Sequence, residues 1–227
     1  MRVISFSLWG GNSTYLEGAF ANAKLAELYY PGWELWLYCD DRTDTVIQNA
    51  LTAYGYKVIP RAVSSSVYEG LFWRFEPACN CDVGAFVSRD LDSRLNPREQ
   101  AAVEEWLASG KTLHTMRDHY EHTVPILGGM WGLRHWPDFR THIESWITRS
   151  NLGDDQEFLK SKIWPVLNSD CVAHDRYIVD SHLSTPNGPF TYRPVEFFGP
   201  HDIRPFPRHK PLQKEIHGDH VGARIHV

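Results

Sequence analysis

Through the first half of the chain, short apolar runs alternate with capped segments of helical period. No other feature of the sequence constrains its folding as strongly. Residues 2–9 form a continuous apolar run, as expected of a strand covered on both faces. Thr14, with Glu17 three residues later, predicts a helix start of capping-box type, and Leu16, Ala19, Phe20 and Ala23 follow at helical spacing. Strands are predicted over residues 34–39, 56–60 and 83–88, with helices over 45–53 and 72–78. Asn96 as cap, Pro97 in the first turn and Glu99 closing the box predict another helix, with Val103, Trp106 and Leu107 on its inner stripe. This rhythm implies an α/β fold with a mostly parallel, mixed central sheet flanked by helices.

The second half is less regular. Residues 112–116 and 125–132 read as strands, and 137–147 and 155–164 as helices. From Ser184 onward Pro, Gly and His dominate, which predicts a loop-rich C-terminal tail. No repeat or linker interrupts the chain, so a single domain over residues 1–227 is expected.

A length of 227 residues with 42% apolar and 22% charged side chains suits one well-buried globular domain. A net charge of −5 argues against nucleic-acid binding, which calls for a basic face. No apolar run is long enough to cross a bilayer, and residues 1–9 read as a strand rather than a signal peptide. Cys79 and Cys81 stand too close for a typical bridge, and with Cys39 and Cys171 they fit reduced, structural thiols in a cytoplasmic protein. The nine Trp chiefly supply a core, with one or two left as flat platforms for a sugar.

The sharpest local feature is Arg89-Asp90-Leu91-Asp92, where the predicted strand 83–88 runs out. Residues i and i+2 of an extended segment point to one side, so both carboxylates can face one point. Ligands of open α/β sheets bind outside the carboxyl ends of strands. Two hard oxygen ligands suit Mn²⁺ or Mg²⁺, which keep their other positions for water and diphosphate oxygens. The competing reading is a solvated turn in which Arg89 and Arg94 pair with the acids.

With this motif the chain resembles the GT-A fold glycosyltransferases, in which a DxD triplet ending a central strand holds a divalent metal and the donor diphosphate. Further segments carry the likeness. Trp73-Arg74-Phe75 is similar to the segment that sends a basic residue to the donor. The run from Ile126 through Leu127, Gly128, Gly129 and Met130 to Trp131 resembles the strand lining the sugar pocket. Gly153-Asp154-Asp155-Gln156 resembles the acidic helix start beside the transferred sugar. Residues 169–175 resemble the stretch that brings a His to the metal.

The resemblance implies a nucleotide-sugar donor, UDP-linked by default, and a carbohydrate or glycan acceptor, with residues 1–92 as the nucleotide-binding half and 93–227 as the acceptor-side half with the tail. It implies metal ligands Asp90, Asp92 and His174, with Asp155 and Gln156 catalytic. Ser7, Leu8, Trp9, Asp40, Arg74, Arg89, Asp90, Gly128, Gly129, Trp131 and Asp154 become candidate substrate contacts. His174 is preferred as third ligand because an apolar stretch precedes it and an acid follows; His182, His201 and His217 are alternatives. Asp154 and Asp155 also suit an ordinary helix N-terminus, where negative charge complements the dipole. Asp155 would act as general base in an inverting enzyme, or face the oxocarbenium charge in a retaining one. Gly10-Gly11-Asn12-Ser13 lies where backbone NH groups meet phosphate but lacks the GxGxxG spacing of a dinucleotide site. Two other functions compete: a sugar-nucleotide pyrophosphorylase, whose Gly-rich basic signature residues 9–24 lack, and a non-catalytic carbohydrate-binding module.

Overall fold

The protein is described here from a computed structural model. It describes residues 1–9, 12–62, 67–118, 122, 124–147, 151–175, 177–179, 192–197 and 203–205. In chain order the elements are β1 (Arg2–Leu8), α1 (Ser13–Tyr29), β2 (Glu34–Asp40), α2 (Thr45–Ala53), β3 (Tyr56–Arg61), α3 (Gly70–Trp73), β4 (Ala85–Arg89), α4 (Pro97–Ser109), β5 (Leu113–Arg117) and β6 (Met130–Arg134). There follow α5 (Phe139–Ile143), α6 (Asp154–Phe158), α7 (Trp164–Leu167), β7 (Cys171–Asp175), β8 (Tyr177–Val179), β9 (Tyr192–Phe197) and β10 (Ile203–Pro205).

Seven strands form one sheet in the order β3-β2-β1-β4-β6-β5-β7, in which β6 alone runs against the others. The chain moves outward from β1 to β2 and β3, then returns to place β4 on the other side of β1. That reversal is a topological switch point, and it opens a crevice outside the carboxyl ends of β1 and β4.

The two-residue period of the strands sorts side chains between two cores. Ile4, Phe6 and Leu8 of β1 and Val87 of β4 pack with α1 and α4 residues such as Ala19, Ala23 and Trp106. Val3 and Phe86 face the other side, against Phe72, Phe75, Trp131, Phe139 and Phe158. Some ring pairs there meet edge to face, as between Phe75 and Trp131 with centroids 5.0 Å apart, and others are tilted, as between Trp131 and Phe139.

Several expected boundaries shift, each for a local reason. The cap of α1 is Asn12, whose side chain accepts from the Thr14 N–H at 3.0 Å, so Thr14 lies inside the helix. The helix expected over 72–78 stops at Trp73, and a separate 3₁₀ turn, Glu76–Cys79, carries Pro77 near its start, where a missing N–H costs little. The strand expected over 125–132 begins only at Met130, because the Met130 N–H closes a turn on the Leu127 carbonyl at 3.1 Å. The helix expected over 137–147 is regular only through α5, and the one expected over 155–164 passes from α6 through a π-helical turn, Leu159–Ile163, into α7. Where loops and turns were expected after Ser184, β9 pairs antiparallel with β8 and β10. Among the described residues, no helix is long and apolar enough to cross a membrane.

Candidate active site

The crevice at the switch point is a cleft of about 530 Å³, walled by Ser7, Trp9, Arg74, Asp90, Asp92 and Asp155 among others. A second hollow, about 480 Å³, lies at the opposite ends of the central strands beside Met1, Arg2 and Arg134, and among the described residues no acidic side chain lines it.

Arg74 lies at the centre of the first cleft. α3 ends at Trp73, and the Arg74 N–H donates to Ser7 Oγ at 3.1 Å, which anchors the residue to the end of β1. Its buried guanidinium spans two acids: Nη1 donates to Asp90 Oδ1, and Nη2 donates to Asp155 Oδ2 at 2.9 Å. The two carboxylates differ in access. Asp90 exposes 43% of its side chain and Asp155 only 4%, so Asp90 can receive a ligand from solvent while Asp155 is held in the wall.

Burial raises the Asp155 pKa; Arg74 opposes this and the Asp90 charge adds to it, leaving the carboxyl above its ordinary value of 3.8. Burial pulls the Arg74 pKa down, but the charges of Asp90 and Asp155 outweigh it, and the guanidinium stays protonated.

Two glycines let the acids sit where they do. A Cβ on Gly128 would lie 2.3 Å from Asp155 Oδ2 and 2.7 Å from Arg74 Nη2, and a Cβ on Gly129 would lie 1.9 Å from Asp90 Oδ2. No side chain fits at either position without moving a carboxylate. The turn holding them is tied to β4, because Ser88 Oγ donates to the Gly128 carbonyl at 2.7 Å.

The structure thus brings together Ser7, Trp9, Arg74, Asp90, Asp92, Gly128, Gly129, Asp155 and Gln156 around one cleft. It places the other expected residues elsewhere. Leu8 and Arg89 point to the opposite side of the sheet, by strand parity. Leu8 is buried in the α1 core, and Arg89 Nε donates to Glu99 Oε1 at 2.6 Å, deep beneath α4. Trp131 is fully buried among Phe75, Phe86 and Phe139, so it is a core residue rather than a wall of the cleft.

Asp40 is held by its neighbour Arg42, whose backbone N–H and Nε reach it at 2.9 and 2.8 Å. Asp154 accepts from the Asn151 N–H at 2.9 Å and so shapes the loop entering α6. His174 belongs to the edge strand β7, separated from β4 by β5 and β6. Its Nδ1 faces His114 Nε2 and its Nε2 faces Glu105 Oε2, both at 3.0 Å, so both ring nitrogens are engaged away from Asp90 and Asp92. His182, His201 and His217 lie outside the described residues, as do Gly10 and Gly11.

Sequence reasoning missed further wall residues: Tyr15, Tyr68, Leu71, Glu157 and Lys160. Lys160 follows Gln156 by four positions and Tyr15 opens the helix after β1, so helical spacing and strand-end position were the available signals.

The donor set fits a hard divalent cation. Asp90 and Asp92 offer only oxygen, Asp90 is open to the cleft, and among the described residues the wall holds four acids (Asp90, Asp92, Asp155, Glu157) against two bases (Arg74, Lys160). Among the described residues no third His, Cys, Asp or Glu completes a metal cluster. Water and a bound diphosphate are therefore the ligands such an ion would have to recruit.

No protein-family model matches this chain, and no curated protein matches it in sequence. Solved structures do match in fold. Glucosyl-3-phosphoglycerate synthase from Mycobacterium tuberculosis, in complex with uridine diphosphate, superposes with a TM-score of 0.51 at 13% identity, over 77% of this chain and 69% of that one. A mannosyltransferase from Pyrobaculum calidifontis, in complex with GDP-Man and Mn²⁺, superposes with a TM-score of 0.51 at 12% identity. The match spans 77% of this chain but only 54% of the mannosyltransferase. The shared architecture is the GT-A fold, a mixed seven-stranded sheet flanked by helices.

Proposed function

We propose that this chain is a glycosyltransferase that moves a sugar from a nucleotide-diphosphate donor, most simply a UDP-sugar, to an acceptor hydroxyl with the help of Mn²⁺ or Mg²⁺. One observation carries the reading. Asp90 and Asp155 meet on Arg74 inside a cleft that Asp92 also lines, at the switch point of the sheet. The fold neighbours support it, since one is solved with UDP and another with GDP-Man and Mn²⁺.

Asp90 and Asp92 would hold the cation. When bound, it offsets the charge that builds on the departing diphosphate. Ser7 and Arg74 fix the β1 end of the cleft, and Trp9, which lines it, offers an apolar face to the donor. The turn at Gly128 and Gly129 places backbone close to the sugar, where a larger residue would push the acids aside.

In transfer, the bond from the anomeric carbon to the donor phosphate breaks and a bond to the acceptor oxygen forms. The acceptor's proton goes to the Asp155 carboxylate. Its raised pKa suits it to hold that proton, and Arg74 fixes its orientation. Gln156, beside it in the wall, can hydrogen-bond the acceptor.

Incubation with a panel of UDP- and GDP-sugars, Mn²⁺ and simple glycan acceptors tests the proposal. Release of nucleoside diphosphate, abolished by EDTA, is the expected result. Nucleoside triphosphate formed only with added pyrophosphate would instead mark a pyrophosphorylase, and sugar binding without turnover a binding module.

A further inference from the structure

Arg74 is an unusual neighbour for a metal ligand, because its guanidinium already occupies the carboxylate on which a cation would sit. Nη1 is bonded to Asp90 Oδ1, while Asp90 Oδ2 is pressed toward Gly129. The guanidinium cannot withdraw freely. Its side chain is buried, its backbone is tied to Ser7 Oγ, and its other arm is on the buried Asp155. Gly128, with no Cβ, is what lets both partners lie as close to the turn as they do. A cation arriving at Asp90 therefore meets, within a few ångströms, a fixed positive charge whose own side chain is buried.

We propose that Arg74 is a built-in counter-ion that weakens binding of a free divalent cation at Asp90 and makes tight binding conditional on the donor diphosphate. This rests on the metal site of the proposed function and extends it to the order of loading. The diphosphate brings the negative charge that Arg74 and the cation can share, so repulsion between the two cations becomes joint attraction to one anion. Coupling of this kind is reciprocal, so the donor is also held weakly without the metal. Throughout, Nη2 keeps Asp155 in place, which makes Arg74 a positioning residue between the donor side and the acceptor side of the cleft.

The test is titration of Mn²⁺ alone, followed by electron paramagnetic resonance, against the full-length wild type, Arg74→Lys and Arg74→Gln. Arg74→Gln is expected to bind free Mn²⁺ about 10-fold more tightly than wild type, within the usual range of coupling between sites. Arg74→Lys, which keeps the charge, is expected to stay within about 3-fold of wild type. Arg74→Gln leaves Asp155 buried without its cation, so if the single variant fails to fold, Arg74→Gln combined with Asp155→Asn is compared with Asp155→Asn alone, against which the same tightening is expected.

Unchanged or weaker Mn²⁺ binding in these charge-removing variants would overturn the counter-ion role. Asp90→Asn and Asp92→Asn separate that outcome from failure of the functional reading. If they abolish Mn²⁺ binding while Arg74→Gln leaves it unchanged, only the counter-ion role fails. If they leave Mn²⁺ binding intact, the metal is not at these acids and both readings fall.

Discussion

Gly129 lies against Asp90 so closely that a methyl group on its α-carbon would stand 1.9 Å from the Asp90 Oδ2 atom. The position of the Asp90 carboxylate is therefore set as much by the absence of a side chain on the neighbouring turn as by strand β4 itself. Gly129→Ala should displace Asp90 and lower Mn²⁺-dependent donor affinity by about 10-fold or more, since small displacements of aligned groups are costly. Comparing Gly129→Ala with wild type in a donor titration checks this. Affinity within about 2-fold of wild type would show that Asp90 moves without consequence.

Asp155→Asn keeps the size of the side chain and can still accept a hydrogen bond from Arg74, but it cannot take a proton. Its kcat should fall by about 10²-fold or more, with donor affinity retained. In wild type the acid limb of the pH–rate profile should lie above that of an ordinary carboxylate. The raised pKa means that the ionised base appears only at higher pH, so activity falls as pH drops through that raised value. Steady-state rates across pH measure both. A variant within a few-fold of wild type would leave Asp155 as a helix-start residue only.

Trp131 and Trp9 should separate stability from binding. Trp131 is fully buried in a cluster of aromatic rings, so Trp131→Ala should cost about 3–5 kcal/mol in denaturant unfolding. Trp9 lines the cleft, and Trp9→Ala should chiefly weaken donor binding, by about 10-fold if it stacks on the base. The reverse pattern would return Trp131 to the sugar wall.

These two tryptophans also show how much of the site was legible in the sequence. The place of the acids was, because a strand end marks the crevice of an α/β sheet. Their direction was not, since β4 ends at Arg89 and residues 91–92 form a turn, with the Ser93 N–H on the Asp90 carbonyl at 3.4 Å, in place of the extended segment expected. Asn96 was legible too: its side chain accepts from the Glu99 N–H at 3.0 Å, as a cap should. The same Glu99 then departs from the capping box and pairs with buried Arg89, because strand parity turns Arg89 beneath α4. Parity likewise sends Trp131 into the core, and it depends on a register that no local pattern fixes. His174 looked available because its partners, His114 and Glu105, are 60 and 69 residues away and meet it only when β7 pairs with β5. Arg74 as a bridge between two acids was equally hidden, being a product of packing among α3, β4 and α6.

The His114–His174 pair gives a stability prediction. Burial depresses the His114 pKa well below 6.5, with the His174 and Arg89 charges adding to it, and burial also lowers that of His174. A base whose folded pKa is depressed contributes stability that is complete above its unfolded value and is lost as pH falls toward the folded one. Unfolding free energy should therefore decline below about pH 6.5. His114→Phe, which keeps a ring stacked on Trp106, should flatten the slope by about 1.4 kcal/mol per pH unit, one proton's worth. Equal slopes in the two proteins would mean that His114 is protonated in the fold.

The central claim is that Asp90 and Asp92 hold a divalent metal and, through it, a nucleoside diphosphate. Its most direct test is calorimetric titration of UDP, and separately GDP, into wild type and Asp92→Asn, each with Mn²⁺ and with EDTA. Saturable binding of at least one nucleotide to wild type is expected only with Mn²⁺, weakened about 100-fold or more in Asp92→Asn while the melting temperature holds. Nucleotide binding of equal strength in EDTA, or in Asp92→Asn with Mn²⁺, would contradict the claim.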